Sequence, residues 1–326
     1  MKQWISDAQL GIEGLSFEAF ESIAPNAGEV LIDVRAAALN FSDLLMIEDK
    51  YQIRPARPFV PGQEVAGIVR AVGTGTKFEV GDRVASKIDW GGFSETAIVR
   101  SDMAFKIPAQ VSFTDGAALP VAYVTSMVAL CELGKVSSND TVLIHAAAGG
   151  VGLAAVQIAK ANGATIIATA SSDQKLALAR KNGAHHTVSY ADPEWFKSVK
   201  ALTDGKGATL IFDPVGGQIG TDSLRCIARD GKLLIVGFAS GTIQNLPANR
   251  LLLKRAVAQG VYWSHQEDAQ MLDRLTSQLL QIYESGHIQP YTDTSYSLEQ
   301  LPAALQALSD RSSTGKVILK VGGPHA

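Results

Sequence analysis

The sequence predicts an α/β protein, in which a doubly wound parallel sheet forms one domain and a smaller β-rich barrel forms a second. Two observations favour this fold class. In the middle of the chain, strands with no polar face alternate with helical segments, which is typical of a parallel sheet covered on both faces. In the first third, short alternating strands are broken by glycine and proline, which is typical of a compact antiparallel barrel or sandwich.

The individual elements follow from these patterns. In the first third, strands are predicted at Val30–Arg35, Val65–Val72 and Ser94–Val99, and Gly81–Val84 indicates a turn running into a strand. In the middle, strands are predicted at Thr141–His145, Thr165–Thr169, Ala208–Phe212 and Lys232–Val236, with helices at Val151–Ala161 and Gln174–Lys181.

The tail is predicted to contain two helices, Ala269–Glu284 and Leu298–Ser309, and one strand, Lys316–Lys320. A strand so late in the chain needs a sheet to join, so the tail is expected to return to the first domain. The expected boundaries are residues 1–121 with 260–326 for the β-rich domain, and 122–259 for the doubly wound domain.

Composition excludes several classes of partner. The net charge of −3 gives no electrostatic reason to bind nucleic acid or anionic lipid. No segment approaches the roughly 20 uninterrupted apolar residues that a membrane span needs, and the N-terminus lacks the apolar core of a secretory signal. Two cysteines cannot build a disulfide framework, so a cytoplasmic protein with reduced thiols is expected.

The strongest motif is the segment His145–Gly152, which follows an apolar strand and opens a helix. In this context Gly149 lets the backbone approach a pyrophosphate, and Gly152 lets the helix pack closely. The phosphates are expected to meet the positive end of a helix starting near Gly150. Because Ala147 occupies the first glycine position, the fingerprint is imperfect, and a structural turn is the alternative. The expected dinucleotide contacts here are Ala147, Gly149, Gly150, Val151 and Gly152.

The second signal is a missing acid. A site for NAD needs a carboxylate about 20 residues after the glycine loop to hold the ribose 2′-hydroxyl. This chain has Ala170 at that point, and Asp173, one turn later, is expected to cap the next helix. NADPH is therefore predicted rather than NADH. The expected contacts of its 2′-phosphate and adenosine are Ser171, Ser172, Lys175 and Tyr190.

With these residues assembled, the chain resembles the zinc-free quinone oxidoreductase branch of the medium-chain dehydrogenase/reductase superfamily. The resemblance is carried by the glycine loop and by residues 38–43 (ALNFSD), 61–67 (PGQEVAG), 81–84 (GDRV), 91–95 (GGFSE), 212–217 (FDPVGG) and 314–317 (TGKV). It implies a GroES-like barrel domain, formed by the N-terminal segment and the tail, beside a Rossmann domain. It also implies a homodimer through sheet edges, with Val257–Trp263 as the candidate pairing strand.

The zinc alcohol dehydrogenases of this superfamily carry cysteine where this chain has Asn40, and histidine where it has Gln63. Catalytic zinc needs three protein ligands with one open position, and Asn and Gln are poor zinc ligands. The four clustered cysteines of the structural zinc lobe are also missing from the sequence. The expectation is therefore an enzyme without zinc.

By the same resemblance, Asn40 and Tyr51 fall in the substrate cleft, where each can donate a hydrogen bond to the substrate carbonyl. The alternatives are that Asn40 only holds the loop or the cofactor, and that Tyr51 is ordinary packing. Asp43 is expected to fix the loop backbone. The remaining expected cofactor contacts are Asn40, Thr125, Val215, Gly237, Phe238, Ser240 and Lys316.

Without a Lewis acid, hydride transfer favours an acceptor that already delocalises negative charge. The predicted activity is NADPH-dependent reduction of a quinone or an α,β-unsaturated carbonyl compound. Two alternatives remain: a reductase of enoyl thioesters, and a crystallin-like protein that holds NADPH or binds RNA without turnover. The sequence shows no dense Lys/Arg run to support RNA binding.

Overall fold

The computed structural model describes residues 1–322 of the chain. These residues fold as two compact units. The split unit comprises Met1–Val121 and the chain from Pro290 onward, and the central unit comprises Ala122–Gln289. The N-terminal boundary matches the expected one, whereas the C-terminal boundary lies at 289/290 instead of 259/260.

The strands within residues 1–322 are β1 (Lys2–Ser6), β2 (Leu15–Ala19), β3 (Glu29–Ala38), β4 (Glu64–Val72), β5 (Arg83–Lys87), β6 (Thr96–Arg100), β7 (Ala104–Lys106), β8 (Thr141–Ile144), β9 (Thr165–Ala170), β10 (His186–Ser189), β11 (Ala208–Asp213), β12 (Ile227–Ile235), β13 (Val257–Gly260), β14 (Thr292–Ser297) and β15 (Lys316–Lys320). The α-helices are α1 (Phe41–Ile47), α2 (Phe113–Ala118), α3 (Val124–Met127), α4 (Gly150–Ala161), α5 (Asp173–Lys181), α6 (Trp195–Leu202), α7 (Gly217–Ser223), α8 (Ala248–Lys254), α9 (His265–Glu284) and α10 (Leu301–Ser309). Short 3₁₀ turns lie at Ile12–Gly14 and Leu298–Gln300, and π-helical turns at Leu119–Tyr123 and Val128–Leu133.

The central unit contains a parallel sheet with the strand order β10-β9-β8-β11-β12-β13. Within this sheet β8 comes first in the sequence. The chain then forms β9 and β10 on one side of β8, and crosses over to form β11, β12 and β13 on the other side. This confirms the doubly wound sheet and makes β8 the topological switch point, where such folds bind ligands. The strand interiors are fully buried, as their continuous apolar runs require; Leu143, Ile167, Ile211 and Leu233 have no exposed surface.

The split unit contains a largely antiparallel sheet in the order β14-β15-β3-β4-β5-β7, and β6 also pairs with β3. Its longest strand, β3, changes register twice against β4, which lets one strand serve three neighbours. The last strand, β15, pairs antiparallel with β3 through Ile318 and Ala38. The expectation that the late strand joins the N-terminal sheet is therefore confirmed.

The first tail helix differs from the expectation. Predicted at Ala269–Glu284 and expected to join the first domain, it starts at His265 and lies in the central unit. Leu272, Leu275 and Leu279 form its buried face, and it packs against α3. An apolar stripe at this spacing must be covered by neighbouring parts of the protein, and α3 is one neighbour of this helix. The chain leaves the central unit only after this helix, which moves the boundary to residue 290.

The helical segment Phe113–Leu133 is long and apolar enough to cross a membrane, by length and composition alone. In the structure 72% of its most apolar window is buried inside the protein. Burial of this kind is what the core helix of a globular fold shows, because such a helix is covered on most sides by its neighbours.

Candidate functional site

The glycine loop connects β8 to α4 at the switch point of the central sheet. The backbone turns sharply at Ala146, whose φ of 46° lies in the left-handed region. Two backbone hydrogen bonds then fix the loop: Ala147 N donates to Thr169 O at 3.0 Å, and Gly149 N donates to Ala146 O at 2.9 Å. Helix α4 starts at Gly150 as predicted, with Gly149 as its N-cap. The free N–H groups of its first turn are available to an anion.

Two of the three glycines in the loop, Gly149 and Gly152, differ in the space that surrounds them. A Cβ on Gly152 would lie 2.3 Å from Ala146 O and 2.8 Å from Ala147 Cα, so this residue must be glycine for the helix to pack on its own loop. A Cβ on Gly149 would meet nothing closer than Ala146 O at 3.4 Å. The fold does not need glycine at position 149, so the free space there is available to a ligand.

The end of β9 carries the residues predicted to replace the missing acid. Ala170, the last residue of β9, is buried, and Ser171 and Ser172 follow it on the surface. The expectation that Asp173 caps the next helix is wrong: Ser172 is the N-cap of α5 and accepts from Lys175 N at 3.4 Å. Ser172 has the extended backbone that an N-cap needs, whereas Asp173 is already the first residue of the helix.

Tyr190 follows β10 and was expected to flank the adenosine. Its hydroxyl points into the central unit, where it accepts from Ala146 N at 3.0 Å and lies 2.6 Å from Thr169 Oγ1. Burial raises the pKa of Tyr190 well above its usual range. The hydroxyl therefore contacts the glycine loop from inside the protein.

The loops after β11 and β12 are joined to each other by hydrogen bonds. Ala239 N donates to Pro214 O at 3.0 Å, and Ser240 N donates to Val215 O at 2.9 Å. The buried carboxylate of Asp213 holds the first of these loops, because its Oδ1 accepts from Val215 N at 2.9 Å and Gly216 N at 3.0 Å. Burial raises the pKa of Asp213, and the two backbone donors oppose that shift.

Three predicted residues lie on these joined loops. Gly237 has space beside it, since a Cβ there would meet nothing closer than Pro214 O at 3.4 Å. Phe238 is 37% exposed, and its ring lies against Gly216. The hydroxyl of Ser240 turns back to its own loop, 3.2 Å from both the nitrogen and the oxygen of Thr242. The backbone of these loops, more than their side chains, is therefore available to a ligand.

Thr125 lies on α3, a short helix of the central unit. Its hydroxyl oxygen accepts from Trp263 Nε1 at 3.1 Å, a contact between residues 138 positions apart. Trp263 lies just beyond β13 and before α9, so this bond ties two segments of the central unit together. This pairing of Thr125 with Trp263 could not be predicted from the local sequence.

In the split unit, Asn40 belongs to a buried ionic cluster. Lys316 Nζ lies 2.6 Å from Glu64 Oε2 and donates to Asn40 Oδ1 at 2.5 Å. Asn40 Nδ2 donates to Glu64 Oε2 at 3.1 Å, which closes the triangle. Glu64 has no exposed surface, and its second oxygen accepts from Val121 N at 2.7 Å. We call Asn40, Asp43, Glu64 and Lys316 the ionic cluster.

Asp43 holds the turn that carries Asn40, as expected from the sequence. Its Oδ2 accepts from Asn40 N at 2.7 Å, while its Oδ1 is buried without a hydrogen-bond partner. Complete burial raises the pKa of Asp43 to about 7, against the opposing effects of the Asn40 N–H and the Lys316 ammonium. This carboxyl group can therefore change its protonation near neutral pH.

The side-chain oxygens at the zinc-ligand positions already contact other groups. Gln63 Oε1 accepts a hydrogen bond from the Ser42 hydroxyl, and Asn40 Oδ1 and Glu64 Oε2 both face the Lys316 ammonium. A monovalent side-chain cation thus lies among the oxygens that a metal ion would need. Among residues 1–322, no group of three or more His, Cys, Asp or Glu side chains is placed to hold a metal.

Tyr51 and Lys87 also belong to the split unit, but they lie in different surroundings. The ring of Tyr51 packs against the hydrophobic core of the split unit, in line with the packing alternative. Lys87 lies opposite Glu64 in the β4–β5 ladder, so both side chains project from the same face of the sheet. Burial lowers the pKa of Lys87, and Asp89 at 3.9 Å acts in the opposite direction.

The structure thus gathers the predicted residues into two sets, one in each unit. Lys316 was expected to contact the cofactor and Glu64 had no expected role, although both belong to the ionic cluster. The buried contacts of His145, Thr169 and Asp213 were not predicted either. The one available signal was a polar residue placed inside or at the end of an otherwise apolar strand, as at Thr169 and Asp213.

Comparisons with known proteins agree with this division of the chain. Residues 26–109 match the alcohol dehydrogenase GroES-like domain, and residues 150–277 match the zinc-binding dehydrogenase family. Together with a glycine loop at the switch point of a doubly wound sheet, these matches define a dehydrogenase of the medium-chain type. The chain belongs to the medium-chain dehydrogenase/reductase superfamily, and it is an oxidoreductase of that superfamily.

Within the superfamily, the chain is similar to quinone oxidoreductases. It is 38% identical to quinone oxidoreductase-like protein 2 of Bos taurus over 297 residues, covering 90% of this chain and 85% of the relative. A quinone oxidoreductase of Pseudomonas syringae superposes with a TM-score of 0.90 at 33% identity, covering 98% of this chain and 100% of the other. The Escherichia coli quinone oxidoreductase complexed with NADPH gives a TM-score of 0.90 at 29% identity, with the same coverage. The resemblance noted from the motifs is therefore confirmed.

Proposed function

We propose that the protein is a zinc-independent reductase that transfers a hydride from NADPH to a quinone or an α,β-unsaturated carbonyl compound. The observation that carries the proposal is the glycine loop at the sheet's switch point. There the space beside Gly149 adjoins the N-terminus of α4. The end of the neighbouring strand β9 carries serines where a carboxylate would select against a 2′-phosphate.

The residues present fit a dinucleotide. The free N–H groups of the first turn of α4 would hold the pyrophosphate. Ser171 and Ser172, both exposed, would donate to the 2′-phosphate, with Lys175 one turn into α5. The loops held by Asp213 would present backbone groups of Val215 and Gly237 to the nicotinamide carboxamide. When bound, the dihydronicotinamide supplies the hydride.

Asn40 is the group proposed to meet the acceptor. Its amide is fixed in one orientation, because Oδ1 accepts from Lys316 while Nδ2 donates to Glu64. An amide nitrogen carries two hydrogens, so one N–H remains for the carbonyl oxygen of the acceptor. A donor fixed in this way stabilises the enolate or phenolate that forms, and a donor of this kind is worth about 10²–10³ in kcat.

The chemistry of the donor set supports independence from zinc. The site has two amide oxygens and one carboxylate in place of thiolate and imidazole, and Lys316 already neutralises that carboxylate. Zinc binding would require displacing a buried ammonium that has two oxygen partners. The ionic cluster therefore supports a mechanism in which fixed side chains alone stabilise the developing negative charge.

The test is the rate of NADPH oxidation with a panel of quinones and short enones, repeated with NADH and with a chelator. Turnover with NADPH, little with NADH and no loss with chelator is the expected result. Loss of activity with chelator would overturn the zinc-free proposal. Asn40→Ala is expected to lower kcat about a hundredfold, whereas the matched surface variant Asn26→Ala leaves it unchanged. Tight NADPH binding without turnover would favour enoyl thioesters or a non-catalytic holder of NADPH.

We further propose a homodimer formed through the open edge of β13. This strand is the outermost of the central sheet, and it lies among exposed apolar side chains: Leu252, Leu253, Val257 and Tyr262. An unpaired apolar edge favours pairing with a second copy of the chain. Val257→Lys is expected to shift the protein from dimer to monomer in light scattering, and Val80→Lys, a matched exposed valine of the split unit, is not.

A cytoplasmic location without nucleic-acid or membrane partners remains a proposal. It is supported by the net charge of −3 and by two cysteines that are not bonded to each other. Cell fractionation with an antibody against the native protein tests it, and recovery of the protein in the membrane pellet would contradict it.

A further inference from the structure

A buried hydrogen-bonded chain lies beneath the glycine loop. It connects Ala146 N to Tyr190 Oη (3.0 Å), Tyr190 Oη to Thr169 Oγ1 (2.6 Å), Thr169 Oγ1 to His145 Nδ1 (2.8 Å), and His145 Nε2 to Ser223 Oγ (2.8 Å). His145, Thr169 and Ser223 have no exposed surface. We call Tyr190, Thr169, His145 and Ser223 the tyrosine chain.

One arrangement of hydrogens satisfies every donor in the tyrosine chain. Ser223 Oγ donates to Ile219 O at 2.8 Å, so it accepts from His145 Nε2–H. His145 Nδ1 is then an acceptor for the Thr169 hydroxyl, whose oxygen also lies 2.6 Å from Tyr190 Oη. The Tyr190 oxygen is left as an acceptor, and the Ala146 N–H fills it.

The chain ends at the residue where the glycine loop needs support. Ala146 has a φ of 46°, a left-handed conformation that a residue with a Cβ rarely adopts without a compensating contact. The same residue supplies the oxygen that accepts from Gly149 N, the N-cap of α4. A shift at Ala146 would therefore move the N-terminal turn of the helix.

The residues and burial around His145 and Tyr190 keep the tyrosine chain in one arrangement. Burial lowers the pKa of His145 to about 3, so the imidazole stays neutral and keeps its tautomer. Trp195 packs edge-on against His145 at 5.1 Å and against Tyr190 at 6.2 Å between ring centroids. The aromatic contacts fix the ring positions, and the hydrogen bonds fix the hydroxyl.

We propose that Tyr190 is a positioning residue for cofactor binding, acting through Ala146: the tyrosine chain holds the left-handed turn that aims the first N–H groups of α4 at the pyrophosphate. This inference rests on the proposed function, because it assumes that a dinucleotide binds at the loop. It assigns the Tyr190 hydroxyl a role inside the protein, through its contact with Ala146 N.

The test compares Tyr190→Phe with wild type and with Tyr291→Phe. The second variant is the matched control, because it removes the same hydroxyl group from a tyrosine of the split unit. Tyr190→Phe is expected to raise the Kd and the KM for NADPH about tenfold, while kcat at saturating NADPH stays within twofold. Tyr291→Phe is expected to match wild type in all three. An unchanged Kd in a folded Tyr190→Phe protein would overturn the proposal.

A second variant separates positioning from general loss of stability. Glycine adopts a positive φ without strain, so Ala146→Gly in the Tyr190→Phe background is expected to recover most of the lost NADPH affinity. A merely structural defect would not be relieved by adding a second substitution. If Tyr190→Phe does not fold, Thr169→Val removes the next link, and it is expected to raise the Kd in the same direction with a smaller effect.

Hydrogen exchange of the protein without NADPH distinguishes failure of this inference from failure of the proposed function. Tyr190→Phe is expected to speed amide exchange in a peptide spanning residues 144–152 and to leave peptides of the split unit unchanged. If wild type does not bind NADPH but the exchange rate still rises, the cofactor proposal fails, and only the support of the loop by the tyrosine chain stands. If the exchange rate does not change, the positioning role fails.

Discussion

Each unit has its own set of candidate functional residues, and the two sets differ in kind. In the central unit the site consists mainly of backbone: a left-handed turn, a helix N-terminus, and two loops joined by hydrogen bonds. In the split unit it consists of charged and amide side chains buried together in the ionic cluster. A backbone site tolerates many side chains but depends on glycine, whereas an ionic cluster depends on every one of its charges. Substitutions in each unit test that contrast.

Lys316→Met is expected to have the largest effect. It leaves Glu64 as an unpaired charge without exposed surface, which typically costs about 3–5 kcal/mol. Lys320→Met, an exposed residue at the end of the same strand, is the matched control. Urea unfolding measures both. A loss below about 1 kcal/mol for Lys316→Met would mean that the pair behaves as a surface ion pair.

The pH dependence of stability tests Asp43. The pKa of Asp43 in the folded protein, about 7, lies above its ordinary value of 3.8. The contribution of Asp43 to stability is therefore fully present below pH 3.8 and is lost as the pH rises towards 7. The stability of wild type relative to Asp43→Asn, which stays neutral, is expected to fall by up to about 4 kcal/mol over that range. Urea unfolding of both proteins between pH 4 and pH 8 measures the difference, and a constant difference contradicts the assignment.

Gly152→Ala tests the backbone site. The added Cβ would lie 2.3 Å from Ala146 O, so α4 or its loop must move, at a cost of about 1–3 kcal/mol. Gly149→Ala is the matched control for stability, because its Cβ has room. Gly149→Ala is expected to leave the melting temperature unchanged and to weaken NADPH binding. Equal melting temperatures for the two variants would contradict the close contact at Gly152.

Ser171→Asp is expected to have the smallest effect on stability and to act on cofactor choice. A carboxylate at the end of β9 repels a 2′-phosphate and can accept from a ribose 2′-hydroxyl. The ratio of kcat/KM for NADPH over NADH is expected to fall at least tenfold, which corresponds to about 1.4 kcal/mol. Ser138→Asp, an exposed serine elsewhere in the central unit, controls for the added charge. No change in the ratio would remove Ser171 from the cofactor site.

Much of the fold could be predicted from local patterns. The apolar strands of the central sheet and helix α4 fall within a few residues of their predicted positions, because a buried parallel strand or an amphipathic helix shows its period in its own sequence. Helix α9 was also predicted, but its partner α3 was not, since an apolar stripe does not specify which surface will cover it.

The candidate functional residues also include some that could be predicted from local patterns and some that could not. The glycine loop was predicted because its geometry depends on neighbouring residues of one segment. The ionic cluster was not, because Asn40 and Lys316 lie 276 residues apart and meet only when β15 pairs with β3. Tyr190 lies at the end of its strand, as the sequence predicted. The inward direction of its hydroxyl, towards Ala146, was not predicted, because it depends on packing with His145 and Trp195.

Short runs of residues are enough to specify the doubly wound sheet, the glycine loop with its helix, and the absence of a carboxylate at the end of β9. Which polar side chains neutralise one another depends on contacts between distant parts of the chain. Burial makes an isolated charge costly, so Glu64, Lys316 and Asn40 acquire their roles from contacts between distant strands. The tyrosine chain arises for the same reason, since a buried hydroxyl or imidazole must find its partners wherever the fold places them.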